Sequence, residues 1–141
     1  MALDLARVKQ IPALFLAGNK DTPANVAGTE QLWRRGRAAG APWTLLVEPD
    51  AKHRFASDGC QLESHGLVIP WLTAVIRQRV PQVGAPVRVI DGKTGWLGDP
   101  MSGEVWLAAS KPESAADTSW FPDEASARGW QALRTGAALS R

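Results

Sequence analysis

The stretch Ile11-Pro-Ala-Leu-Phe-Leu-Ala-Gly-Asn-Lys-Asp21 decides the reading of this chain. From Pro12 to Gly18 it is a short, unbroken apolar run closed by glycine, the pattern of a strand buried on both faces of a parallel sheet; a half-solvated strand would alternate instead. A carboxylate, Asp21, follows at once. Working outward, Thr22-Pro-Ala-Asn25 supplies capping and first-turn residues, and Val26, Glu30, Trp33 and Arg37 recur at helical spacing up to Gly40, which predicts a helix with a glycine stop. Trp43-Thr-Leu-Leu-Val-Glu48 reads as a second strand, closed by Pro49 and Asp50. Strand, helix and strand in that order make one crossover unit and predict parallel pairing.

Beyond a polar loop through Asp58 and Gly59, the apolar residues Leu67, Val68, Trp71, Leu72, Val75 and Ile76 predict a helix ending near Arg79, with Pro70 expected to kink it or reset its first turn. From Pro86 the texture changes to short runs separated by Gly, Pro and Asp. Val87-Arg-Val-Ile90 and Glu104-Val-Trp-Leu-Ala108 read as two strands or extended segments, and Pro122 through Trp130 and Leu133 to Gly136 as a helix with acids in its first turn. The expected organisation is therefore an α/β portion over residues 1–81 and a small Trp-rich extension over residues 82–141. Two doubly buried parallel strands cannot stand as an open sheet, because their edges would expose unpaired backbone groups. Further strands are expected to pair with them.

Composition removes several function classes. The formal charge of +2 is spread over interleaved acids and bases, whereas a nucleic-acid surface needs a larger patch of one sign. The one dense basic stretch, Arg34, Arg35 and Arg37, reads as a solvated helix face. No apolar segment approaches the roughly 20 residues that span a bilayer, and the apolar run near the amino end, broken by Pro12, suits a strand better than a signal peptide. Two histidines, His53 and His65, and a lone Cys60 offer no metal-ligand spacing and no internal disulfide. No metal or organic cofactor is expected.

Asp21 follows one buried strand and His53 comes shortly after the next, so both fall at the carboxyl ends of consecutive strands, where open α/β sheets build their sites. On these residues the sequence resembles the α/β-hydrolase family, in its dienelactone hydrolase and esterase-like branch. Ile11 to Asp21 is similar to the penultimate strand and acid turn, and Leu45-Leu-Val-Glu-Pro-Asp-Ala-Lys-His-Arg-Phe55 to the last strand and histidine loop. The resemblance implies a partial α/β-hydrolase sheet over the first 81 residues, with Asp21 as the triad acid, His53 as the general base, and Leu62 to Arg79 as the final helix packed on the sheet.

One departure governs the functional expectation. The family carries its serine in a G-x-S-x-G elbow upstream of the acid, and no such motif occurs here; the residues before Asp21 contain no serine at all. Ser57, Ser64, Ser102 and Ser110 lie downstream without the elbow. The chain is thus expected to be the carboxy-terminal half of a serine ester hydrolase, inactive alone, because acid and base without nucleophile and oxyanion hole do little. A small-molecule ester would be its substrate only together with the missing half. The alternative is a non-catalytic module that completes its sheet as a homodimer or with a complementing chain. His65, inside or just before a helix, and Cys60, with nothing nearby to lower its pKa, are weaker candidates for base and nucleophile. Trp96, Trp106, Trp120 and Trp130 suit packing better than a ligand site.

Overall fold

A computed structural model describes residues 4–21, 26–49, 51–52, 65–111 and 116–135. A one-turn helix, α1 (Leu5–Val8), is capped by the Asp4 carboxylate, which accepts from the Ala6 N–H at 3.1 Å. Strand β1 (Ala13–Gly18), helix α2 (Val26–Ala38) and strand β2 (Trp43–Glu48) follow, and the strands pair in parallel from Ala13 opposite Trp43 to Gly18 opposite Glu48. Helix α3 (His65–Arg79) completes this portion.

Because strand side chains alternate between faces, the two sides of the sheet pack against different partners. Odd-numbered residues, among them Phe15, Trp43 and Leu45, meet Trp33 of α2. Even-numbered Leu14 and Leu46 meet Leu67, Trp71 and Val75 of α3. Every residue of β2 from Trp43 to Leu46 is buried, as its continuous apolar run predicts.

Helix α3 is continuous through Pro70 rather than restarting there. Pro70 has no N–H to offer the Gly66 carbonyl one turn back. That carbonyl is met instead by the last helix, α4 (Glu124–Thr135): a Cβ added to Gly129 would lie 2.5 Å from the Gly66 oxygen, so only glycine allows the approach. Asp123 caps α4, its carboxylate accepting from the Ser126 N–H at 2.8 Å.

Of the two strands or extended segments expected in the extension, that at Glu104–Ala108 is a strand, and two further strands accompany it. Three short strands, β3 (Trp96–Gly98), β4 (Val105–Leu107) and β5 (Ser119–Phe121), form an antiparallel sheet in the order β4-β3-β5. Val87–Ile90 pairs with none of them. It is tied to the end of α3, where the Arg88 N–H donates to the Arg79 carbonyl at 2.8 Å; Ile90 is buried while Val87 and Val89 face solvent. One apolar cluster joins the two portions: Leu46, Leu67, Trp71 and Val75 share it with Ile90, Leu97, Val105, Trp120, Phe121 and Trp130.

The extension also supplies backbone partners to β2. The Ala13 and Asn19 N–H groups reach the Pro42 and Glu48 carbonyls, so even-numbered residues of β2 face β1 and odd-numbered ones face outward. The Ser119 hydroxyl accepts from the Leu45 N–H at 2.9 Å and donates to the Leu45 carbonyl at 3.1 Å, and the Trp130 indole N–H donates to that carbonyl at 2.8 Å. The Trp33 indole N–H donates to the Trp43 carbonyl at 3.2 Å. Side chains thus meet the outer edge of β2 at Trp43 and Leu45.

Arg37 corrects the expectation of a solvated basic face. It is 2% exposed and its guanidinium donates to the Thr118 carbonyl at 2.6 Å, to the Gly92 carbonyl at 3.3 Å and to the Ala41 carbonyl. Burial pulls its pKa down to about 10, which leaves it charged at neutral pH. It sits one helical turn after Trp33 and shares the buried side of α2. Arg34 is exposed and pairs with Asp117 at 2.9 Å.

Candidate functional site

The carboxyl ends of β1 and β2 are fastened to each other. The Asn19 N–H donates to the Glu48 carbonyl at 3.1 Å, the Lys20 N–H to the Ala51 carbonyl at 2.9 Å, and the Asp21 N–H closes a turn onto the Gly18 carbonyl at 3.1 Å. Gly18 permits this, since a Cβ there would lie 2.3 Å from the Ala51 oxygen. The backbone after β2 therefore lies directly on the end of β1, and the turn that follows β1 holds Asp21.

Asp21 is 9% exposed and Ala51 4%. The sequence thus puts a buried carboxylate in a turn that contacts the segment leading to His53, two residues after Ala51. His53 itself, like Ser57, Cys60 and Ser64, lies outside the described residues. His65 opens α3. Of the serines considered as nucleophiles, Ser102 and Ser110 are used locally: the Ser102 hydroxyl donates to the Asp99 carboxylate at 2.9 Å, and that of Ser110 to the Leu107 carbonyl at 2.7 Å. Hydrogen bonds from the Met101 N–H and from Ser102 hold the Asp99 carboxyl below its usual range despite some desolvation, with Arg134 adding to the effect. This is a loop-fixing carboxylate.

The tryptophans considered for a ligand site are mainly structural. Trp120 and Trp130 are fully buried, and their indole N–H groups end on the Thr94 and Leu45 carbonyls. A cavity of about 230 Å³ beside the outer edge of β2, lined by Trp33, Arg34, Val47, Met101, Trp130 and Arg134, is smaller than the roughly 300 Å³ at which small-molecule sites begin. Among the described residues no group of three His, Cys, Asp or Glu stands together to hold a metal ion, and no helix is long and apolar enough to cross a membrane.

Set against family models, curated proteins and solved structures, the chain finds no match in any of the three. Its fold is a mixed α/β arrangement with a small parallel sheet and a small antiparallel sheet.

Proposed function

We propose that this chain is the acid-and-histidine portion of a serine ester hydrolase of the α/β-hydrolase type, completed by strands that carry the nucleophile and inactive without them. The observation that carries the reading is the junction of the two strand ends: buried Asp21 stands in a turn bound to Ala51, which precedes His53. A further support is the outer edge of β1. Its even-numbered residues point their backbone groups away from β2, and among the described residues nothing pairs with Leu14 or Leu16 there. That edge is where additional strands would add.

In the completed enzyme Asp21 would hold the His53 imidazole in the tautomer that accepts a proton from the incoming serine, and would stabilise the imidazolium that forms. The serine would attack the ester carbonyl, releasing the alcohol as His53 returns the proton, and water would then hydrolyse the acyl-enzyme by the reverse use of the same base.

The test is an NMR titration of His53 in the chain and in Asp21→Asn. A carboxylate beside the ring favours its charged form, so the substitution should lower the His53 pKa by about 1 or more. A second reading, a non-catalytic module whose sheet is completed by another chain, draws on the same open edge and expects no change in that pKa. The chain alone should also fail to react with a fluorophosphonate, which labels activated serines; labelling would place a nucleophile inside it and sink the proposal.

A further inference from the structure

The side chains that meet the outer edge of β2 stop at Leu45. Val47, the next residue whose backbone faces outward, has no hydrogen-bond partner there among the described residues, and it lines the cavity of about 230 Å³. The rest of the lining joins an apolar surface to charge. Trp33, Leu45 and Trp130 supply the first, and two guanidinium groups, Arg34 from α2 and Arg134 from α4, stand against one carboxylate, Glu30. Each arginine is laid over a tryptophan, Arg34 at 5.7 Å from the centre of the Trp33 ring and Arg134 at 5.6 Å from that of Trp130, an arrangement that holds a cation against an apolar wall. Arg34 gives one nitrogen to Asp117 at 2.9 Å and Arg134 one to the Met101 carbonyl at 3.3 Å. A guanidinium has five N–H groups, so both keep donors for a ligand.

We propose that this cavity binds a carboxylate with a short apolar tail. The lining carries two positive charges against one negative, which a single anionic group balances. Paired oxygens suit the arginine fork, and the Val47 N–H offers a third donor to the same group. The tail then covers Trp33, Leu45 and Trp130. Size limits it: at the roughly 30 Å³ that a water molecule occupies in the liquid, the space takes about eight heavy atoms. That is one branched acid of about six carbons, or the last residue of a chain ending in a free carboxylate. None of the lining residues belongs to the turn that holds Asp21, so the cavity is independent of the hydrolase reading.

The test is an NMR titration of the full chain with 4-methylpentanoate. The Trp33 and Trp130 indole N–H signals and the Val47 amide should shift together, with a Kd of about 1 mM or tighter. The uncharged 4-methylpentanamide, of the same shape, should bind about tenfold or more weakly, and Arg134→Gln should weaken the acid by a similar factor. Arg34→Gln should cost less, because Arg34 is half-exposed and shared with Asp117. Glu30→Gln should tighten binding by removing a like charge. A peptide arm separates the two sources: triglycyl-leucine that binds more tightly than the acid, and loses this when its end is amidated, identifies a chain end that adds its backbone to Val47, whereas a peptide that fails to displace the acid identifies a free acid. The proposal is overturned if the three signals do not shift together at about ten times the expected Kd. Equal binding of the amide overturns it too, as does binding that survives Arg34→Gln and Arg134→Gln combined.

Discussion

The two edges of the parallel pair have opposite treatments. On β2 the Trp43 carbonyl and the outward N–H and carbonyl of Leu45 are taken by Trp33, Ser119 and Trp130, three side chains that stand where a neighbouring strand would. On β1 the outward groups of Leu14 and Leu16 have no such partner among the described residues, and Leu16 is 47% exposed. A finished sheet covers, charges or shortens its edges. Among the described residues, side chains meet one edge of the pair and no strand pairs with the other.

The sharpest way to break that contrast is to remove the seal. Trp130 is fully buried, packs against Phe121 with ring centroids 5.3 Å apart and donates to Leu45. Trp130→Ala should cost about 3–5 kcal/mol in chemical denaturation, the usual penalty for emptying an aromatic site. A loss under about 1 kcal/mol would mean that the extension rests on β2 without supporting it.

Next in size is Arg37, which ties α2 to the extension through Thr118 and Gly92. Arg37→Ala leaves buried carbonyls without their donor and should cost about 3 kcal/mol. Arg37→Lys should recover little of it, because one ammonium cannot reproduce the fork that reaches three separate carbonyls. Full rescue by lysine would show that the charge rather than the geometry holds the corner.

What was legible in the sequence divides along the same line. β1, α2, β2 and α3 were readable because each is long enough for its own periodicity or continuous apolar run to speak. β3 and β5 were not: at three residues each, between glycines, prolines and aspartates, they carry no period, and their pairing is set by distant contacts. The seal was equally hidden, since Ser119 and Trp130 lie 74 and 85 residues from the Leu45 they serve. Arg37 had a local signal in its spacing of four from Trp33, which puts it on the buried side of α2. The placement of Asp21 at a strand end was legible; that Ala51 lies against Gly18 was not, because the approach of two backbones leaves only a glycine as its trace.

A smaller effect sharpens the comparison at a single hydroxyl. Ser119 both donates to and accepts from Leu45, as an adjacent strand would. Ser119→Ala strands the Leu45 N–H, while the Leu45 carbonyl keeps Trp130, so the expected cost is about 2 kcal/mol rather than that of two lost partners. The Leu45 amide should then exchange with solvent faster than its strand neighbours, which still face β1.

The smallest effect belongs to the open edge and decides whether the contrast holds. Leu16 already stands half in water, and its outward N–H and carbonyl are uncommitted among the described residues. Leu16→Lys should therefore change the stability of the chain by less than about 0.5 kcal/mol, as at other exposed positions, and the Leu14 and Leu16 amides should exchange readily. A cost above about 2 kcal/mol, or strong protection of those amides, would show that something already covers this edge. The asymmetry between β1 and β2 would then be that of a sheet completed on both sides, and no place would remain at β1 for strands bringing a nucleophile.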